Sequence, residues 1–296
     1  MTFRGSAIFS ALTRIATAFL FCFPSPAHTQ DSSSLLWEIS GGGLEKKSYL
    51  FGTIHLFCPG DFVVGDSLKS RLLASENLVL EIDMTDPELM PALMQGMMMK
   101  DGSTLRGLLS GPEYEKIDLF FSDSIGFNIT PFAGSKPYLL TSLLYNYALQ
   151  CHQQSVEEQL TILAGEKGIR IAGLETPQEQ TALFDLIPYR TQAEMVLRMI
   201  DSIHIAQREF RELMHLYQSQ DIQKLYEYVR NSKSDFNGFE NILLADRNRK
   251  WISRIEKFIT GTSSLIAVGA AHLGGDDGLV QLLRAKGYRV LPVHNP

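Results

Sequence analysis

The stretch Ser264-Leu-Ile-Ala-Val-Gly-Ala-Ala-His-Leu-Gly-Gly-Asp-Asp-Gly278 joins an apolar run to a glycine-rich turn that contains a histidine. A short apolar run bounded by turn residues is typical of a strand that is buried on both faces. We therefore predict a buried strand from Leu265 to Val268, followed by a turn with His272 and then a helix.

A second stretch, Tyr49-Leu-Phe-Gly-Thr-Ile-His55, repeats the same order of apolar run, glycine, two residues and histidine. In open α/β sheets, ligands bind beyond the carboxyl ends of the strands. The two Gly-x-x-His motifs therefore predict one site assembled at the ends of neighbouring strands. Gly52 and Gly269 are expected to let the backbone turn sharply and approach a ligand closely.

Further strand-like runs at residues 35–39, 77–83, 170–175 and 288–293 are separated by long helical patterns at 84–165 and 178–260. Ser40-Gly-Gly-Gly43 predicts a hairpin between the first two strands. Strands joined by helices favour an α/β fold. We expect a central sheet with extensive helical insertions, which would form a cap or a flanking layer.

The N-terminal residues have the pattern of an export signal. Arg4 and Arg14 lie in a segment without acidic residues, an apolar run follows, and Ser25-Pro-Ala27 provides small residues for cleavage. We predict a signal peptide at 1–27, a single domain at 28–296 and a periplasmic or secreted location. No later apolar run is long enough for a membrane anchor, so none is expected after cleavage.

The charge balance limits the classes of partner that are expected, and the cysteine content bears on the cellular compartment. The chain has 33 acidic and 27 basic residues, which argues against nucleic acid or anionic lipid as a partner. A peptide or a small molecule is the expected substrate. Cys58 and Cys151 remain after cleavage, and in an oxidising compartment they are expected to form a disulfide, with two buried free thiols as the alternative.

The candidate site combines the two histidines with acidic residues at other strand ends. Glu81 lies in an otherwise apolar run, where a charge needs a partner, and Glu175 stands between a strand and a helix N-terminus. Two imidazoles with a carboxylate suit a divalent ion such as zinc, manganese or cobalt. They equally suit a metal-free acid–base site. Glu175 is expected to act as a ligand, a base or an accessory to the helix cap.

Two other features have a functional and a structural interpretation. Arg247 and Asn248, in Asp246-Arg-Asn-Arg249, would stabilise an oxyanion or hold a substrate carboxylate, unless they belong to a solvated helix face. Six of the ten methionines lie close together, and a flexible apolar packing face is favoured over a copper site or an adaptable groove. These are Met84, Met90, Met94, Met97, Met98 and Met99.

In combination, these motifs resemble the TraB/GumN family, which is similar to the Tiki proteases and more distantly to erythromycin esterases. The resemblance covers nearly all of the predicted mature chain. It rests on Phe51-Gly-Thr-Ile-His55, Leu80-Glu-Ile-Asp83, Gly173-Leu-Glu-Thr176 with Gln180, Asp246-Arg-Asn248, and Val268 to Gly275 with Gly287-Tyr288. One departure is Ser155-Val-Glu157, where the family often has glycine and aspartate, and this is expected to affect packing more than chemistry.

The resemblance implies a Tiki-like α/β fold and a metal-dependent peptidase that uses both Gly-x-x-His motifs and an acidic residue. It points to His55, His272 and Glu81 as metal ligands, with Glu175, Arg247 and Asn248 in catalytic support. The leading hypothesis is therefore an exported metal-dependent hydrolase. The alternatives are a non-catalytic protein that binds a peptide or haem in the same cleft, and a metal-free esterase.

Overall fold

The computed structural model describes residues 34–231 and 238–295. The signal peptide predicted at 1–27 lies outside these residues. The residues that the structure describes form one compact unit. No helix in the described part of the chain is both long enough and apolar enough to cross a membrane.

Six strands form one mixed sheet, which confirms the predicted α/β class. The strands are β1 (Leu36–Gly41), β2 (Ser48–Thr53), β3 (Asn77–Leu80), β4 (Arg170–Gly173), β5 (Ser264–Gly269) and β6 (Tyr288–Val293). Their order across the sheet is β4-β3-β5-β2-β1-β6. The four strands from β4 to β2 are parallel, whereas β1 is antiparallel to both β2 and β6.

The helices lie between the strands, as the alternating pattern predicts. They are α1 (Asp66–Leu73), α2 (Leu89–Gly96), α3 (Leu105–Leu108), α4 (Gly111–Phe120), α5 (Tyr138–Leu149), α6 (Val156–Glu166), α7 (Pro177–Leu183), α8 (Tyr189–Asp201), α9 (Ile203–Gln218), α10 (Ile222–Asn231), α11 (Asp246–Ile259) and α12 (Leu279–Ala285). Ser110 and Thr176 each form a capping box, with Glu113 and Glu179 respectively, at the starts of α4 and α7.

Alternate side chains of each strand point to opposite faces of the sheet, so the sheet has a core on each side. On β5, Leu265 and Ala267 join α1, α6, α9 and α10 in one core, while Ile266 and Val268 join α11 and α12 in the other. A third core lies among α3, α4, α5 and α8 and includes loop residues such as Met99 and Ile129, but no strand residue. Thus only part of the long helical segments forms a flanking body, because α6, α10 and α11 pack directly on the sheet.

Three element boundaries differ from the sequence expectation. β3 ends at Leu80, so Glu81 follows the strand instead of lying inside it, and β4 ends at Gly173, two residues before Glu175. Helix α2 begins at Leu89, five residues after the start of the predicted helical segment at 84, and Asp86 and Pro87 precede it. Asp86 instead accepts a hydrogen bond from the backbone N–H of Glu88 in a preceding turn. A polar side chain and a proline favour a turn as readily as a helix start.

Candidate active site

The parallel strands bring the two Gly-x-x-His motifs together. In the pairing of β2 with β5, Gly52 is opposite Val268 and Thr53 is opposite Gly269. The chain leaves both strands at the same edge of the sheet, and there the Nε2 atoms of His55 and His272 lie 4.0 and 3.8 Å from the same atom, Glu81 Oε1. The structure therefore places these three predicted site residues around one point.

The two glycines of the motifs allow close packing of neighbouring atoms, and neither forms a tight turn. Neither has a positive φ, which corrects the expectation that they are needed for a sharp turn. A Cβ on Gly52 would lie 3.0 Å from the backbone and side chain of Ala270, so this glycine lets two chain segments pack closely. A Cβ on Gly269 would contact Glu81 Oε1 at 3.4 Å and His55 Nε2 at 3.5 Å. The space between the three polar side chains therefore depends on Gly269.

His272 is held as a neutral imidazole in a defined tautomer. The Asn248 side-chain NH2 donates hydrogen bonds to the backbone oxygens of His272 and Asp277. Its Oδ1, 2.7 Å from His272 Nδ1, must therefore accept a hydrogen bond from that nitrogen, which carries the proton. On the other side of the ring, Arg247 Nη1 lies 3.2 Å from His272 Nε2 and can only donate. Burial lowers the pKa of His272 to about 3. Its Nε2 therefore carries a lone pair, which accepts the hydrogen bond from Arg247 Nη1.

His55 has the opposite protonation state. Its Nδ1 lies 2.6 Å from Glu157 Oε1, and the charge of that carboxylate raises the pKa of His55 to about 9. Glu157 also accepts hydrogen bonds from Thr53 Oγ1 at 2.5 Å and Ser155 Oγ at 2.7 Å. Burial opposes ionisation of Glu157, but the imidazolium and these donors lower its pKa to about 2. The His55 side chain is 64% exposed, and Nε2 faces the cavity.

Glu157 is the site residue that the sequence analysis missed. Its segment was noted only as a departure that affects packing, yet Glu157 makes the shortest contact to His55. The available signal was local: Ser155 is the N-cap of α6, and an acidic side chain in the first turn of that helix is buried. An acidic residue in the first turn of a helix is normally explained by its favourable interaction with the helix dipole. The sequence therefore offers no reason to expect that Glu157 contacts His55.

Arg247 links the remaining acidic residues behind the histidines. Its Nη2 donates to Glu81 Oε2 at 2.5 Å and also to Glu175, while Nε is 3.4 Å from Glu175 Oε2. Although burial favours the neutral form of Glu81, Arg247 holds the pKa of this carboxyl well below its usual range. The guanidinium also lies 4.5 Å from the centre of the Trp251 ring. Arg247 is therefore buried and fully engaged, unlike a solvated helix face.

Glu175 and Asn248 form hydrogen bonds with the residues that line the cavity. The Glu175 carboxylate accepts hydrogen bonds from Arg247, from Gln180 at 3.2 Å and from Trp251 at 3.2 Å. Asn248 directs its side chain to His272 and the backbone of Asp277. Through these contacts Glu175 positions Arg247, and Asn248 positions His272. None of these contacts involves His55.

Cys58 follows His55 in the chain by three residues, and Cys151 precedes Ser155 by four. Their sulfur atoms are joined as a disulfide, 2.03 Å apart. Next to it, the backbones of Phe57 and Gln154 exchange two hydrogen bonds, of 3.0 and 2.9 Å. The segment after His55 is thereby tied to the segment that leads into Glu157.

The residues between the strand ends fit a divalent ion in their chemistry. Over residues 34–231 and 238–295, no three His, Cys, Asp or Glu side chains are close enough to hold a metal ion as they stand. However, each imidazole presents Nε2 towards Glu81 while its Nδ1 contacts an oxygen acceptor, which is the usual outer partner of a metal-binding histidine. Neighbouring ligands of one tetrahedral zinc ion are roughly 3.4 Å apart. The two Nε2–Oε1 distances, 4.0 and 3.8 Å, are longer than this spacing, and Arg247 Nη1 lies beside His272 Nε2.

These groups line a cavity of about 640 Å³ that opens to solvent. His55, Glu81, Arg247 and His272 lie on one wall. The remaining walls are mainly apolar, and include residues of α2, α7, α9 and α10 as well as Tyr138, which stacks on Phe184 with 3.7 Å between ring centres. A cavity with few polar groups at one end is typical of a ligand-binding or active site.

Residues 35–292 match the TraB/PrgY/gumN family, so the chain belongs to this family. One relative is described as a metalloprotease, TIKI2 of Danio rerio, which is 30% identical over 95 residues. That match spans 31% of this chain and only 18% of the relative. No solved structure matches the chain.

Proposed function

We propose that the protein is an exported metal-dependent hydrolase that acts on peptides. The observation that carries this proposal is the convergence of His55 Nε2 and His272 Nε2 on Glu81 Oε1, at 4.0 and 3.8 Å. Family membership and the similarity to a metalloprotease support it. Export is supported by the signal-like sequence at 1–27 and by the disulfide, which persists in oxidising compartments.

In this proposal, His55, His272 and Glu81 hold the ion, which would be zinc, manganese or cobalt. When bound, such an ion polarises a carbonyl and lowers the pKa of water. Glu157 and Asn248 orient the two imidazoles through their Nδ1 atoms, so that both Nε2 atoms face the cavity. His55 must lose its proton to become a ligand, because only neutral imidazole binds metals.

Arg247 keeps Glu81 ionised and supplies positive charge at the cavity wall. Its Nη1 lies beside His272 Nε2, where it is able to donate to an oxyanion that develops on the substrate. Glu175 holds the other side of the guanidinium, and Gln180 bridges Glu81 and Glu175 at 3.3 and 3.2 Å. This network limits the positions that Arg247 can adopt.

Metal content and peptide cleavage test this function together. The purified protein is expected to bind close to one equivalent of ion and to cleave members of a peptide library. The His55→Ala/His272→Ala double variant should lose both properties, whereas His204→Ala, a histidine exposed on α9, should retain both. Unchanged metal content and cleavage in the double variant would refute the proposal.

One contact favours a second candidate function, a metal-free esterase. Arg247 Nη1 already donates to His272 Nε2, so that nitrogen has a partner without a metal ion. In that case His55, Glu81 and His272 would serve in proton transfer alone. Ester hydrolysis that survives dialysis against a chelator, with loss of activity in His272→Ala, would select this function over the first.

A further inference from the structure

His55 lies at the start of an irregular loop. Residues 54–65 join β2 to α1 without forming a helix or a strand, and the His55 side chain is 64% exposed. His272, in contrast, is buried in a short 3-10 helix, and its ring is hydrogen-bonded through both nitrogens. The position of His55 therefore depends on the contacts that hold its loop.

The hydrogen-bond acceptor of His55 belongs to a helix that is anchored to the sheet. Glu157 is in the first turn of α6, and Val156 and Leu160 of this helix are completely buried in the core beside the sheet. Glu157 Oε1 lies 2.6 Å from His55 Nδ1. Because α6 is anchored, this contact persists only if the loop keeps His55 beside Glu157.

Two kinds of contact join the loop to the segment that precedes α6. Phe57 and Gln154 exchange two backbone hydrogen bonds, and Cys58 is bonded to Cys151. The net gain from a backbone hydrogen bond is similar to the entropic cost of ordering one residue, so two such bonds do little to order a loop of this length. The disulfide is the covalent connection, and Cys58 follows His55 by only three residues.

Apolar packing also anchors the loop but does not orient the imidazole. Phe57 is completely buried, and its ring packs edge-on against Phe62 with 5.7 Å between ring centres. Apolar burial is non-directional, so it keeps Phe57 in the core without selecting one direction for the exposed ring two residues earlier. The covalent bond from Cys58 to Cys151 restricts the loop relative to α6 more narrowly.

We propose that the Cys58–Cys151 disulfide positions His55. By joining the loop to the segment before α6, the bond holds the imidazole against Glu157 and so directs Nε2 towards the cavity. The contact itself does not require a metal ion, whereas its effect on metal binding rests on the proposed function. Cys58 and Cys151 are thus positioning residues, because they act on the site through His55.

This role makes the site dependent on oxidation. In forming the bond, the thiols of Cys58 and Cys151 lose two protons and two electrons, and a disulfide of the oxidising compartment accepts them and becomes two thiols. Before that exchange, the loop is held by the hydrogen bonds and by Phe57 alone. The site is therefore expected to become competent to bind an ion only after the protein reaches an oxidising compartment.

NMR of the metal-free protein tests the positioning of His55 directly. In the presence of a chelator, the Nδ1–H proton of His55 should give a downfield signal, because the hydrogen bond to Glu157 protects it from exchange. Reduction by a phosphine should broaden this signal beyond detection, while the Nδ1–H signal of buried His272 remains. An unchanged His55 signal after complete reduction would overturn the proposal.

Metal affinity provides the second measurement. In calorimetric titration with manganese, Cys58→Ser/Cys151→Ser should bind about tenfold more weakly than the wild type, a loss similar to that of an outer partner of a metal ligand. Sucrose favours the folded state, and circular dichroism in its presence verifies that the variant is folded. Equal affinity in the variant and the wild type would contradict the positioning role.

Ile117→Ala is the matched control for a general loss of stability. Ile117 is completely buried on α4, in the third core, which includes no strand residue. Its replacement destabilises the protein by leaving a cavity, but should not alter manganese affinity under the same conditions. If Ile117→Ala weakened binding as much as the serine pair does, stability and not the position of His55 would explain the loss.

A double-mutant cycle identifies the contact through which the disulfide acts. In a Glu157→Ala background the contact is already absent, so removal of the two cysteines should weaken manganese binding by much less than tenfold. Fully additive losses would show that the bond does not act through Glu157 and His55.

Failure of this positioning role and failure of the proposed function give different results. Loss of the His55 signal on reduction, in a protein that binds no manganese, would refute the metal site and support the role of the disulfide. Manganese binding and peptide cleavage that are the same in the oxidised and the reduced protein would refute the role of the disulfide and leave the proposed function intact.

Discussion

Asn248 Oδ1 accepts a hydrogen bond from His272 Nδ1 at 2.7 Å, and this contact determines which nitrogen of His272 faces the cavity. We expect Asn248→Ala to lower metal affinity by roughly 10–100-fold, the usual cost of losing an outer partner of a metal ligand. Isothermal titration with zinc or manganese measures this effect. Unaltered affinity would show that the imidazole is positioned without Asn248.

The same substitution also affects stability. Asn248→Ala leaves the backbone oxygens of His272 and Asp277 without the amide donor, so the free energy of unfolding should fall by about 1–3 kcal/mol. Urea denaturation measures this decrease. Asn248→Asp is the control variant, because it keeps the acceptor for His272 Nδ1 but removes the amide donor. It should recover much of the metal affinity without recovering the stability.

The two histidines should titrate far apart in the metal-free protein. The His55 resonance is expected to titrate near pH 9 and the His272 resonance near pH 3 when imidazole signals are followed by NMR in the presence of a chelator. Glu157→Gln should return the pKa of His55 towards 6.5, because it removes the negative charge that raises it. Equal pKa values for the two rings would contradict the opposite protonation states.

These pKa values determine whether the stability of the folded protein rises or falls with pH. His55 has a raised pKa, so its contribution is complete below pH 6.5 and is lost as the pH rises through 9. His272 has a lowered pKa, so the unfolded chain binds its proton first and stability falls as the pH decreases from 6.5 towards 3. His272→Phe should flatten the acid limb of the stability curve.

Gly269→Ala should damage the site while sparing the fold. The backbone of Gly269 has φ −48° and ψ 133°, which alanine adopts readily, but the new methyl group would contact Glu81 Oε1 and His55 Nε2. We expect loss of metal binding with little change in the thermal midpoint. Gly52→Ala should behave differently, because its methyl group would meet the backbone of Ala270 at 3.0 Å and destabilise the protein. Intact metal binding in Gly269→Ala would argue against the space at this glycine as the ligand position.

Removal of the Cys58–Cys151 disulfide should lower the free energy of unfolding by about 4–5 kcal/mol in the chain-entropy model, because the bond closes a long loop. Urea denaturation of Cys58→Ser/Cys151→Ser measures this change. A thiol assay on the unfolded, unreduced wild type should find no free thiol from this pair. Two titratable thiols would show that the bond does not form.

The buried pair of Lys136 and Asp185 should contribute far more to stability than a surface pair. Lys136 Nζ lies 2.8 Å from Asp185 and its side chain is almost completely buried, so Asp185→Asn leaves a buried ammonium without its carboxylate. We expect a loss of about 3–5 kcal/mol. Asp201→Asn, which breaks the exposed pair with Lys116, should cost less than about 1 kcal/mol. Thermal or urea unfolding compares the two, and equal costs would contradict the difference in burial.

Much of the fold and part of the candidate site could be predicted from local sequence patterns. The apolar runs of β2 and β5 predict the positions of both Gly-x-x-His motifs, because this signal depends only on neighbours in the sequence. The position of Glu157 was not predictable in this way. It reaches His55 only because α6 packs on the sheet and the segment at 151–155 lies against the loop after His55.

The methionine segment shows a second limit of local patterns. The cluster of methionines predicts an apolar packing face, and Met99 is indeed buried, whereas Met90 and Met94 are exposed. The sequence cannot distinguish these two outcomes, because the direction of an apolar helix face depends on its tertiary neighbours. Here Gly96 and Thr181 set that direction through a contact between two helices.

The strand order determines when during synthesis the candidate site can form. β5 lies between β2 and β3, so the strands that precede His55 and Glu81 are joined into one sheet only when β5 is inserted between them. β5 is also the strand that precedes His272, and it is among the last elements of the fold to be synthesised. A nascent chain that has not yet produced residues 264–272 therefore lacks both the second histidine and the central strand. The arrangement of His55, Glu81 and His272 is thus delayed until synthesis of the domain is nearly complete.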